Sequence, residues 1–160
     1  MFGQGQSRND PFAEIDNVTT QGQRNPYLLA GLYLLQIQRT ILFESREHKL
    51  FFLAELLIVE SDNPERPPGM LCSWMTDMRK DMGPINVKRL LAAALDYDVE
   101  SDEANEQITS DVARFAVSDA QPLRQREIYA QASDTTTRDN KPFLAVKWIP
   151  RNPPTPDQPK

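Results

Sequence analysis

A mainly β protein, a small five-stranded barrel with a helical insertion between strands 3 and 4, is predicted by three features of this sequence. Two long runs of alternating apolar and polar residues come first, at 32–43 and 49–60, and a third, at 70–75, follows a proline-rich turn. The period then becomes helical. The chain closes on a hairpin pattern, 127–134 and 142–149, whose connecting tip is wholly polar. With 160 residues, one domain is expected, long enough to bury about two-thirds of its unfolded surface.

Residues 1–26 are polar, rich in Gly, Gln and Asn, and read as a flexible arm with Phe12 and Ile15 as its apolar anchors. The domain proper spans 27–151, and 152–160 is an extended proline-rich tail. In strand 1, Tyr33, Leu35, Ile37, Arg39, Ile41 and Phe43 alternate onto one face. The short polar connector Glu44-Ser45-Arg46-Glu47-His48 makes the next run its antiparallel hairpin partner. That second strand sets Leu50, Phe52, Ala54, Leu56 and Ile58 on one face, against Phe51, Leu53, Glu55, Leu57 and Val59. Repeated proline removes ladder donors at 64–68 and ends it, and Gly69 supplies the turn. Strand 3 follows, with Met70, Cys72 and Trp74 opposite Leu71, Ser73 and Met75.

After Gly83-Pro84, Val87, Leu90, Leu91, Ala94 and Leu95 fall at helical spacing, and proline suits a helix start. A second helix is expected over 101–118, with Ile108, Val112, Phe115 and Ala116 on one stripe and acids in its first turn. Pro122 stops it. In the closing hairpin Ile128, Ala130 and Ala132 alternate with Tyr129 and Gln131, and Leu144, Val146 and Trp148 alternate with Phe143, Ala145 and Lys147. Five strands with helical matter between the third and fourth is the order of an OB-fold. Such a barrel grips its ligand between the strand 2–3 face and the loops joining strands 1–2 and 4–5.

Composition narrows the function. The net charge of −5 argues against coating nucleic acid by bulk charge. The acidity is local: seven acids and no base lie in 96–111, and without them the chain would carry +2. Cys72 is the lone cysteine and sits in an apolar pattern, so a reducing, cytoplasmic setting fits and a buried thiol is expected. No run approaches the roughly 20 apolar residues of a membrane span. The first residues lack the apolar core of a signal peptide. A soluble intracellular protein without a membrane role is expected. His48 stands alone, no phosphate-binding glycine loop is present, and the acids of 96–111 lack the spacing of a calcium loop. No catalytic residue, metal or cofactor is therefore expected, and the chain reads as a binding protein, not an enzyme.

Several segments resemble the OB-fold single-stranded DNA-binding proteins of tailed bacteriophages. They are Gly31-Leu32-Tyr33-Leu34-Leu35, Val59-Glu60-Ser61-Asp62, Pro67-Pro68-Gly69 leading to Ser73-Trp74, the helix at 85–94, and Lys141-Pro142-Phe143-Leu144-Ala145-Val146-Lys147-Trp148. The resemblance covers residues 27–150. It implies sequence-independent binding and protection of single-stranded DNA during phage replication or recombination, in the host cytoplasm. Replication or recombination proteins are further partners it implies. Many such proteins end in an acidic tail that recruits those partners. Here the tail is proline-rich and ends in Lys160, so recruitment by the tail is not implied.

Single-strand binding needs aromatic platforms and cations along the backbone track. The candidate DNA-binding residues are Arg46 and Lys49 in the strand 1–2 connector, Arg79 and Lys80 after strand 3, and Arg138 and Lys141 in the strand 4–5 tip, joined by Phe51, Trp74 and Tyr129. Trp74 reads equally as a core plug, and Trp148, sharing a face with Leu144 and Val146, reads as core. Phe43, at the strand 1–2 corner, either stacks a base or closes the barrel end. The alternative function is an OB-like protein-interaction or virion-assembly module without nucleic-acid binding. The oligomeric state is left open.

Overall fold

The alternating runs become strands because every second side chain finds the same interior. The computed structural model describes residues 25–153. Expectations for the arm at 1–24 and the tail at 154–160 lie outside the described residues. The strands are β1 (Gly31–Glu44), β2 (Leu50–Ser61), β3 (Leu71–Asp77), β4 (Glu127–Thr136) and β5 (Pro142–Pro150). Between β3 and β4 lie α1 (Met82–Ala94), α2 (Asp102–Gln107) and α3 (Ser110–Ala116). The strands form one antiparallel sheet in the order β3-β2-β1-β4-β5.

The sheet curls until its end strands meet through side chains. Trp74 of β3 and Trp148 of β5 touch edge to face, with ring centroids 5.1 Å apart. Among the described residues no backbone pairing joins β3 to β5, so the expected barrel is not closed. Part of the reason lies at Ser73, whose backbone is already engaged. Its N–H donates to Pro26 O and its carbonyl accepts from Leu28 N–H, both at 2.9 Å. The chain entering β1 thus occupies part of the free edge of β3, and Asn25 and Pro26, expected in the arm, belong to the fold.

Helix α1 packs against β3, β4 and β5 and covers the opening between the sheet's ends. Val87, Leu90 and Leu91 are buried beneath it, each contributing roughly 1.5–3 kcal/mol. The small residues Ala92, Ala93 and Ala94 allow close approach. Its first turn requires Gly83, because a Cβ there would lie 2.1 Å from the Asp77 carbonyl oxygen. Asp96, at φ 65°, turns the chain away after the last turn.

Two further expectations are corrected. The single helix expected over 101–118 is two short ones. Thr109 starts the second by accepting a hydrogen bond from Val112 N–H, while Ile108 is buried at the break. In β1 the residues expected on one face do not share it. Ile37 pairs with Leu56, but Arg39 pairs with Glu55, leaving Gln38 as an extra residue. This β-bulge switches the alternation. Before it, Tyr33, Leu35 and Ile37 face the core; after it, Thr40 does, opposite Ala54, and both are fully buried. Arg39, Ile41 and Phe43 are sent to the outer face, opposite Glu55, Leu53 and Phe51.

Candidate functional site

The bulge brings two aromatic rings together. Phe43 and Phe51 are direct cross-strand partners, half-buried, with centroids 5.5 Å apart and planes inclined by 25°. They stand on the outer face at the far end of the β1–β2 ribbon. Phe51 also pairs with Asp77, and Met78 N–H donates to Leu50 O, so the end of β3 adjoins the start of β2. The same end of the sheet therefore gathers Arg46 and Lys49 from the β1–β2 tip and Arg79 and Lys80 from the turn after β3. All these cations are exposed except Lys49, which is half-buried.

Acids stand among them. Lys49 pairs with Glu47 at 3.3 Å and Arg79 with Asp77 at 3.4 Å. The Arg79 backbone amide, with help from its guanidinium, holds the Asp77 carboxyl below the usual carboxylate range. Arg46 and Lys80 carry no ion pair among the described residues. This end thus carries a stacked aromatic pair and individual cations, two of them paired with acids, not a broad positive field.

Arg138 and Lys141 lie elsewhere. Gly31 of β1 pairs with Ala132 of β4, and β4 runs on past it to its tip, so the two hairpin tips leave β1 at opposite ends. They are nevertheless built alike. Ser45 N–H donates to Lys49 O and His48 N–H to Ser45 O; Thr137 N–H donates to Lys141 O and Asn140 N–H to Thr137 O. The Ser45 and Thr137 hydroxyls accept from Lys49 and Lys141 N–H, each at 3.1 Å. His48 and Asn140 take the same left-handed step, at φ 65° and 64°. Ser45-Arg46-Glu47-His48-Lys49 and Thr137-Arg138-Asp139-Asn140-Lys141 therefore match position by position. Turn geometry accounts for the hydroxyl and the left-handed residue. It does not demand the arginine or the lysine, yet both recur.

The remaining aromatics divide. Trp74, 8% exposed, contacts Phe52 and Trp148 and is a core residue, so it is withdrawn from the candidate surface. It faces inward because its neighbours in register, Ala54 and the buried α1 side, leave space for an indole there. Tyr129 is half-buried on the outer face of β4, with the Arg151 guanidinium 5.5 Å from its ring centroid. Arg151 also pairs with Glu127 at 3.4 Å, so that ring face is already covered by a cation. Trp148 is core, as its alternation indicated.

A concavity of about 620 Å³ follows β5 and is walled by Arg89, Asp98, Glu100, Lys147 and Trp148 among others. None of the candidate binding residues lines it. Burial pushes the Cys72 thiol up to about 11, so it is not a nucleophile at neutral pH. Among the described residues no cluster of three or more metal-ligating side chains occurs, and no helix is long and apolar enough to cross a membrane.

Sequence reasoning placed Phe51 on the less covered face but missed its pairing with Phe43, because nothing local marks Gln38 as a bulge. Compared with known proteins, the chain matches no family model and no curated protein.

Proposed function

We propose that this protein binds single-stranded nucleic acid without reading its sequence, stacking a base on Phe51, which Phe43 backs from the neighbouring strand. The observation that carries this reading is that stacked, half-buried pair on the outer face, at the end of the sheet that also holds Arg46, Lys49, Arg79 and Lys80. Stacking on an aromatic platform contributes roughly 1–3 kcal/mol per base and needs unpaired bases, which duplex DNA does not offer. The matched tips supply an arginine and a lysine at each end of β1 for phosphates of the same strand. A curled five-stranded sheet whose end strands nearly meet is in keeping with a partly open OB-type barrel, which uses its strand 2–3 face in this way. Protection of DNA strands in phage replication or recombination is the role this activity would serve, as the resemblance implies.

Fluorescence anisotropy with a labelled oligo-dT and a duplex of equal length tests the reading. Single strand should bind more tightly, with log K falling against log salt by about 0.7 per phosphate contacted. Equal affinity for both, or no binding at low salt, overturns it. In that case the cleft along β5 favours the second reading, a protein-interaction or virion-assembly module, since an unpaired strand edge beside a groove accepts an extended peptide.

A further inference from the structure

We infer that Gln121 is a positioning residue for the Phe43–Phe51 pair, acting by holding the β1 bulge from the side opposite β2. The inference rests on the proposed binding reading only for its ligand arm; the register it concerns stands apart from any ligand.

Beyond Gln36, β1 has no strand on its β4 side, because the β4 ladder ends at Glu127. The segment following α3 takes the place of that strand. Ile37 N–H donates to Arg126 O at 2.8 Å, and Gln125 N–H donates to Ile37 O at 2.7 Å. Arg124 Nε donates to the carbonyl of Gln38, the bulged residue, at 3.3 Å. At Thr40 a side chain substitutes for backbone: Gln121 Oε1 accepts from Thr40 N–H at 2.9 Å and Gln121 Nε2 donates to Thr40 O at 2.8 Å. The Gln121 amide makes the two bonds a paired strand residue would make. The Thr40 hydroxyl, fully buried, donates to Ala116 O at 2.7 Å.

These bonds bracket Gln38 on both sides. Gln121 and Gln125 hold left-handed backbone, at φ 45° and 74°, a conformation unfavourable for L side chains and maintained here only by what surrounds it. A bulge is one residue from a plain ladder. Losing it would slide β1 by one past residue 37, and a one-residue slip turns every later side chain to the other face. Arg39, Ile41 and Phe43 would turn inward. In the bulged register Gln121 satisfies both backbone groups of Thr40, so it favours the register that sets Phe43 on the outer face, without touching ligand.

The test is a register cross-link. Glu44 and Leu50 are direct partners and both exposed, and the Cα separation of either kind of opposed antiparallel pair suits a disulfide. A Glu44→Cys/Leu50→Cys protein should cross-link readily on mild oxidation. Adding Gln121→Leu, similar in size but unable to hydrogen-bond, should lower the yield severalfold in protein that is still folded. Gln121→Glu keeps the acceptor for Thr40 N–H and loses the donor; it should give an intermediate yield and serves if the leucine variant does not fold. With the native Glu44 and Leu50, Gln121→Leu should weaken oligo-dT binding by about tenfold or more, the loss of one stacked base. Full cross-linking in both variants would overturn the inference, since a purely stabilising residue lowers the melting temperature without moving the register. Absence of oligo-dT binding by the native protein would instead overturn the proposed function, leaving the cross-link result to judge Gln121.

Discussion

Two aromatic pairs of nearly equal separation sit on opposite faces of one sheet and are set for opposite work. Trp74 and Trp148 meet at 5.1 Å on the inner face, edge to face, and hold the two ends of the sheet together. Phe43 and Phe51 meet at 5.5 Å on the outer face, stacked and half-buried. Residue type alone would assign the roles the other way round, since tryptophan offers the larger ring face. What distinguishes them is depth: α1 covers the inner pair, whose rings are buried, whereas the rings of the outer pair are half-buried. Function is therefore proposed for the pair that the core does not use.

The largest effect that sharpens this contrast is Trp148→Ala. It should cost about 3–5 kcal/mol of stability, because the cavity opens where β3 and β5 meet with no backbone bonds between them to resist. Urea unfolding followed by circular dichroism measures it. A loss below about 1 kcal/mol, the scale of a surface substitution, would mean that the tryptophan contact does not hold the sheet's ends together. Since both indoles are buried, tryptophan emission should also stay constant when oligonucleotide is added.

The dryness of the inner face has a second, smaller consequence. Cys72 shares that face with Trp74, and burial raises its thiol from 9.0 to about 11. A folded-state value above the unfolded one gives stability that is complete below pH 9 and is lost as pH rises towards 11. The two-unit interval corresponds to about 2–3 kcal/mol. Melting temperature should accordingly fall across that interval, and Cys72→Ala should flatten the decline. Tyr33, also raised chiefly by burial, adds to the loss at still higher pH and remains in the variant. An unchanged decline in Cys72→Ala would show that the inner face is wetter than its burial implies.

How much of this could be read without coordinates follows the same division. The inner faces of β2 and the closing hairpin were legible, because alternation over several residues fixes which side chains go together. Trp148 was legible for that reason. Trp74 was not, since alternation puts it with Met70 and Cys72 but does not say which side a helix will cover. The Phe43–Phe51 pair was illegible because it depends on Gln38 being passed over. The bonds that hold the bulge come from Gln121, Arg124 and Arg126, more than eighty residues along the chain. The split at Thr109 escaped too: a helical stripe runs through Ile108 and Val112, and only the local capping bond shows that one helix ends and another begins. The likeness of the two tips is visible in the letters, but carries meaning only once the shared left-handed step aligns His48 with Asn140.

The smallest effect on stability, and the most telling for function, is at the outer pair. Phe51→Ala removes a ring that is only half-buried. Its cost to stability should therefore lie well below that of Trp148→Ala, at about 1–2 kcal/mol for a ring that loses only part of its exposure on folding. Part of that cost is the ring–ring term with Phe43, roughly 0.5–1.5 kcal/mol beyond burial. Affinity for oligo-dT should fall by about 1–3 kcal/mol, the worth of one stacked base. Phe51→Leu separates the two contributions, because leucine restores apolar burial but offers no π-face. It should recover most of the lost stability and little of the lost affinity. Melting curves and anisotropy titrations on the two variants give four numbers, and the reading depends on how they pair. If leucine restores affinity along with stability, the ring is serving as a surface filler, and the outer pair differs from the inner one only in how wet it is.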